Sequence, residues 1–463
     1  MLDTRFPPST KRITIPLYPS QSQIEPSLFF KRLNTPLHSY LADYYKVPKE
    51  QIFLSATGSI SLSLFLSYIS KGKIGVKVAL PAFCCPEVCH AILRASCMPV
   101  FLEIDFDFFI SEKSIQFAGA QGCQVLIWPH FFGTRKFPEK SLALIHKLGL
   151  IFINDEAQSF PDWEGESPIA ADVTLFSFGP SKKLAGIGGG GICIRNPKTA
   201  ADFFSQLQME SNPCTCWQYL KNAMKAKVRL FDHSISTWLS FSAPLETDLQ
   251  MLLEKRPFPL ISPEEITPLQ MKIAYLHLLK YRNSAKRFLQ DLEKMKETVK
   301  DVFGESALRW IKDIKYPSIF ALDLSFNKQN LSRREVFTFL AEHHIQATWY
   351  YLPLNQLNFL KQYPTELTNK SIEIASQILI LPFQWTHSGR MGNILRTTIL
   401  DILRNYTQTT SKVGQKTGSK RRKSKVATDS VLINTESVAT FDFRQLSIPS
   451  SGQLLRLFGY KEV

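Results

Sequence analysis

IFINDEAQSFPDWEGESPIAADVTLFSFGPSKKLAGIGGGGICI, residues 151–194, decides the fold. Two short apolar runs, IFIND and VTLFS, read as buried strands. The first ends in an acid, Asp155; the second ends at Ser177, followed by a Gly-Pro-Ser turn and Lys182. A glycine-rich turn then leads into GICI, a third strand. Open α/β sheets collect their ligand-binding residues at the carboxyl ends of strands. Asp155 and Lys182, 27 residues apart, are therefore expected on one rim of a sheet. A carboxylate that keeps a pyridine nitrogen protonated and a lysine that holds an aldehyde as an imine are the pair that pyridoxal 5'-phosphate (PLP) chemistry requires.

The glycines Gly186, Gly188 and Gly191 match GxGxxG, but a dinucleotide fingerprint must follow a strand and open a helix. These lead into a strand, so dinucleotide binding is rejected. They read instead as a tight turn that gives the backbone room near a cofactor.

Upstream, LHSYLADYYKV reads as a short amphipathic helix. IFLS reads as a strand that breaks at Ala-Thr-Gly before a helical apolar pattern opened by Ser59. Gly58 and Ser59 at such a helix start offer backbone N–H groups to an anion. VKVALP, MPVFLEID and CQVLIWPH read as strands, and PEVCHAILRA and PEKSLALIHKLG as helices. This alternation predicts a largely parallel sheet. From about Pro244 long helical patterns dominate, with strand-like SIFALDLSF, the helix SRREVFTFLAEHH and a last helix near MGNILRTTILDILRNY. The expected layout is a large domain over 1–245, a smaller α+β domain over 246–405, and a basic, disordered tail over 406–463.

The chain has 463 residues, a net charge of +15 and eight cysteines, at 84, 85, 89, 97, 123, 193, 214 and 216. None forms a CxxC pair or a zinc spacing, and reduced, mostly buried thiols are expected. Ten Lys/Arg against four acids after residue 411 supply +6 of the charge. The rest is diffuse, which suits anionic small substrates and leaves nucleic acid only weak contact with the tail. No run reaches the length of a membrane span and no secretory leader is read, so a cytoplasmic protein is expected. Taken singly, Asp155, Ser177 and Lys182 have ordinary readings as a cap, a turn residue and a solvated lysine. His130 reads as a satisfied core histidine and Phe83 as core packing.

Taken in order, ATGSISL, LPAFCCPEVCHAILRASCMPVFLEID, WPHFFGT, INDEAQS, FSFGPSKKLAGIGGGG and YYLPL resemble the DegT/DnrJ/StrS family of PLP-dependent sugar aminotransferases, of fold type I. The resemblance spans roughly residues 20–405. It implies the cofactor PLP, Asp155 at the pyridine nitrogen, Gln158 beside the phenolic oxygen, and Lys182 as the imine lysine. It also implies Gly58, Ser59 and Ser177 at the phosphate. Lys183 is expected to face solvent or the phosphate. Where many members stack an aromatic ring on the pyridine this chain has Cys85, so either Phe83 or that thiol covers the ring. Gly188 replaces a usual glutamate and Asn355 a frequent histidine. The Asn/Arg pair by which a partner subunit binds phosphate is missing near Glu264 and Glu265.

The implied reaction moves an amino group from glutamate or glutamine to the keto group of a nucleotide-linked sugar, for surface polysaccharide or secondary-metabolite biosynthesis. The implied assembly is a homodimer. Two rival readings are a sugar dehydratase, which resembles the family with histidine in place of the lysine, and a non-catalytic PLP- or sugar-binding scaffold.

Overall fold

The computed structural model describes residues 37–134, 137–161, 170–179, 181–184, 186–207, 209, 264–325, 332–342, 347–349, 351–366 and 369–381. The expected last helix and the basic tail lie outside these residues.

Seven strands form one sheet: β1 (Ile52–Ser55), β2 (Lys77–Pro81), β3 (Met98–Leu102), β4 (Val125–Pro129), β5 (Ile151–Asp155), β6 (Val173–Ser177) and β7 (Gly190–Ile194). Their spatial order is β1-β7-β6-β5-β4-β2-β3. All run parallel except β7, which is antiparallel to both β1 and β6. The largely parallel sheet read from the alternating pattern is borne out.

Side chains alternate between two cores, as the period of two requires. Val78, Leu80, Val125, Ile127 and Ile153 face α2 (Gly58–Ser70), α3 (Pro86–Arg94) and a later helix, Pro197–Ser205. Ala79, Leu126, Trp128 and Phe152 face the opposite core. That core takes in α1 (Leu37–Tyr45), α4 (Glu112–Ala120), α5 (Glu139–Lys147) and, after α6 (Pro197–Ser205), the long α7 (Pro268–Phe303). Leu126, Trp128 and Phe152 are 1% exposed or less, and burying each contributes about 1.5–3 kcal/mol.

Neither α4 nor α6 was anticipated from the sequence. Both are nine residues long and begin at a side-chain cap, Ser111 and Asn196 respectively, each accepting a backbone N–H from three residues ahead. A second sheet pairs β8 (Phe320–Asp323) antiparallel with β9 (Ile378–Leu381). It is accompanied by α8 (Arg333–Glu342) and α9 (Lys370–Gln377). β9 is the run ILIL, whose four residues are all buried.

Candidate active site

A cavity of about 560 Å³ opens at the carboxyl ends of β2, β4, β5 and β6, where the start of α2 meets them. Each wall follows from local chemistry. Thr57 caps α2: its backbone is extended and its hydroxyl oxygen accepts Ile60 N–H at 3.2 Å. The helix therefore begins at Gly58, one residue before the expected Ser59, and both residues line the cavity. Gly58 is needed for contact: a β-carbon there would lie 3.0 Å from Phe176 O and 3.5 Å from Ser177 Cβ. Ser177, at the end of β6, lines the cavity, and its Oγ accepts Gly179 N–H at 3.2 Å.

The glycine turn does something more specific than expected. Gly188 and Gly189, both at positive φ, line the cavity, while Gly189 N donates to Ala56 O at 2.6 Å. The room it makes is taken by the protein's own backbone. It lets the β6–β7 hairpin lie against the entry to α2 and holds the first turn of that helix at the rim.

Asp155 ends β5, 6% exposed, and its Oδ1 accepts Ala157 N–H at 2.9 Å, which fixes the carboxylate toward the cavity. Burial pushes the Asp155 carboxyl up from its ordinary value, against the Ala157 N–H and the charge of Lys182, which hold it down. Lys182 lines the cavity, its backbone N–H bonded to Gly179 O at 3.0 Å. Its neighbour Lys183 departs from expectation. It is 3% exposed, and its Nζ donates to Ser159 O at 3.0 Å, because the turn sends successive side chains to opposite sides. Only the first lysine of the pair reaches the cavity.

Gln158 is clamped from two loops. Its Oε1 accepts Phe132 N–H at 2.9 Å and its Nε2 donates to the Tyr351 hydroxyl at 2.5 Å. Phe83 is fully buried and absent from the cavity wall, packed against Phe108, Phe131 and Tyr351 with centroids 5.5–5.8 Å apart. Of the two alternatives for covering a ring, it is Cys85 that lines the cavity. The reason is local: Cys85 is the N-cap of α3 and precedes Pro86, which holds it extended at the helix entrance. Burial raises the Cys85 thiol, opposed by the charge of Lys182 and by the Glu87 N–H.

His130 is 2% exposed and also lines the cavity. Its Nε2 donates to Asn154 Oδ1 at 2.5 Å, Asn154 Nδ2 donates to Glu156 Oε1 at 3.0 Å, and Tyr45 donates to Glu156 Oε2 at 3.2 Å. It is thus a bonded core histidine, as expected, with one edge on the cavity. Tyr351, Cys85 and Glu264, the last 7% exposed, also line the cavity, as do Glu87 and Arg94. Tyr351 was outside the set of expected site residues, and the short motif YYLPL was the only sign of it.

Residues 33–236, which carry most of the cavity-lining side chains, match the model of the DegT/DnrJ/EryC1/StrS aminotransferase family. The resemblance read from the sequence is borne out there. Among relatives, a UDP-N-acetyl-3-dehydro-α-D-glucosamine 3-aminotransferase of Acidithiobacillus ferrooxidans is 30% identical over 142 residues. That match spans 30% of this chain and 38% of the relative. Among solved structures, DesI with its TDP-sugar product superposes with a TM-score of 0.61 at 15% identity, covering 89% of this chain and 97% of that one. A DegT/DnrJ/EryC1/StrS aminotransferase from Brucella abortus gives 0.57 at 16%, covering 83% and 91%. The fold is that of PLP-dependent transferases of fold type I, and PLP is the cofactor of the family. The residues fit that group. The cavity holds one amine and one pinned carboxylate at the strand ends, with a capped helix start whose Gly58 leaves no space for a side chain.

Among the described residues no helix is long and apolar enough to cross a membrane, and no cluster of three or more metal-ligating side chains occurs.

Proposed function

We propose that this protein is a PLP-dependent aminotransferase that moves an amino group from glutamate or glutamine to the keto group of a nucleotide-linked sugar. The observation that carries this reading is the meeting of Lys182, Asp155 and the first turn of α2 in one cavity, within a segment that matches an aminotransferase family. The A. ferrooxidans relative acts on a UDP-sugar by its name, and DesI has a TDP-sugar product, which supports the acceptor class.

Lys182 would hold the cofactor's aldehyde, Asp155 its pyridine nitrogen, Gln158 the phenolic oxygen, and Gly58, Ser59 and Ser177 the phosphate. When bound, PLP supplies an electron sink for the carbanion formed at the α-carbon of the amino donor. The amine of Lys182 takes that α-proton and later delivers one on the acceptor side, as general base and then acid. Asp155 keeps a proton on the nitrogen opposite by remaining an anion. Cys85, which lines the cavity, would present its thiol to the bound cofactor. A loop within residues 246–405 supplies Tyr351.

In this reading the protein is a cytoplasmic homodimer that serves surface polysaccharide or secondary-metabolite synthesis. Purified protein should be yellow with added PLP and should lose the visible band on adding glutamate. A panel of nucleotide keto sugars with glutamate, read by product mass, identifies the acceptor. Protein that stays colourless with PLP, or is yellow but inert to both donors, overturns the reading.

A further inference from the structure

Gln158 has an amide whose two ends can be exchanged by a half-turn, and a side chain that serves a cofactor oxygen must present the correct end. A backbone N–H, which can only donate, settles the choice, and two loops hold the amide. The loop after β4 turns at Phe132, which adopts a positive φ of 58° and aims its N–H at Gln158 Oε1, 2.9 Å away. From the other side the Tyr351 hydroxyl accepts Gln158 Nε2 at 2.5 Å. Tyr351 is itself anchored. Its ring meets Phe83 edge-on at 5.5 Å and 69°, and three residues on Leu354 N donates to Ala82 O at 2.8 Å. Phe83, fully buried, is therefore the backing of Tyr351.

We propose that Tyr351 is a positioning residue for the aminotransferase reaction, acting through Gln158 by holding in place the amide whose orientation the Phe132 N–H sets. This rests on the PLP reading above. It assigns a role to residues that chain order keeps nearly 200 positions apart and that meet only across the cavity.

Tyr351→Phe keeps the ring on Phe83 and removes only the hydroxyl, so folding is preserved. A double-mutant cycle with Gln158→Ala isolates the coupling. The full-length PLP-loaded protein and the three variants are compared by turnover and by the pH midpoint of the cofactor's visible band. Tyr351→Phe is expected to bind PLP, to lose roughly fivefold in kcat/KM, as one hydrogen bond would give, and to shift the pH midpoint. The double variant is expected to be no worse than Gln158→Ala alone. Unchanged midpoint in Tyr351→Phe, or losses that multiply in the double variant, would overturn the proposal. Borohydride labelling of Lys182 in the same samples separates the two readings. A wild-type protein that takes no label refutes the cofactor assignment itself, and this proposal with it.

Discussion

Gly190 offers the sharpest test of how the cavity is built. It is the first residue of β7, and a β-carbon placed on it would lie 2.5 Å from Gly58 N, 2.8 Å from Phe176 O and 2.9 Å from Gly58 Cα. All three are backbone atoms, so no side chain can swing away, and real β-carbons essentially never approach within 3.0 Å. Gly190→Ala must push the start of α2 or the end of β6 aside by at least about half an ångström, and overpacking of this kind costs about 1–3 kcal/mol. The displaced atoms belong to the turn proposed to receive the cofactor's phosphate, where a charge-assisted hydrogen bond would contribute about 1.5–3 kcal/mol. Loss of one such bond weakens PLP binding by one to two orders of magnitude. Urea unfolding of the apo-protein and a fluorescence titration with PLP read the two effects. Gly72→Ala is the control: its φ is +74° and nothing lies within 4 Å of the new carbon, so about 1 kcal/mol of backbone strain is expected and no change in PLP affinity. If Gly190→Ala stays within about 0.5 kcal/mol of wild type and binds PLP equally well, the close-approach argument is wrong.

Borohydride reduction and peptide mapping should put the pyridoxyl label on Lys182. Lys182→Ala should abolish turnover, whereas Lys183→Ala should leave the label in place and show its effect as lower stability, since it removes the bond to Ser159 O; a label on Lys183 refutes both. Because the buried Asp155 carboxyl is raised, its ionisation opposes folding: its contribution is most favourable below the unfolded-state value and is lost as pH rises through the folded one. Asp155→Asn should therefore raise the apo melting temperature at pH 7, with no gain below the carboxylate range, while activity disappears; a lower melting temperature at pH 7 refutes this. Cys85, with its raised thiol, should react with iodoacetamide slowly at neutral pH and more slowly still with PLP present. Fast alkylation at pH 7 would show that the thiol is not neutral in the cavity.

The sheet was legible because its strands are buried on both faces, so VLIWP, IFIND and VTLFS stand out as unbroken apolar runs with turn residues between them. The rim was legible for the same reason, since IFIND ends in Asp155 and VTLFS in Ser177. The helices α4 and α6 were not, because EKSIQFAGA and PKTAADFFS carry few apolar positions and are specified largely by their caps. β9 escaped because ILIL is only four residues long and directly follows a helix. Lys182 and Lys183 are chemically identical, and which of them reaches the cavity follows from their place in the turn, not from composition. Tyr351 could not be ranked by sequence, because its significance lies in a bond to Gln158 across 193 positions.

The lone antiparallel strand has a consequence for the order of assembly. Within the sheet β1 neighbours β7, Ile52 opposite Cys193, so the strand that leads into the proposed phosphate turn waits for a partner made about 140 residues later. Emerging from a ribosome, β2 to β6 can align while β1 and α2 have no edge to join. The proposed phosphate cup is then a high contact-order element that closes late in folding. PLP capture during synthesis would report the arrival of residues 190–194, and a chain stopped before Gly190 should hold no cofactor even with Lys182 already present.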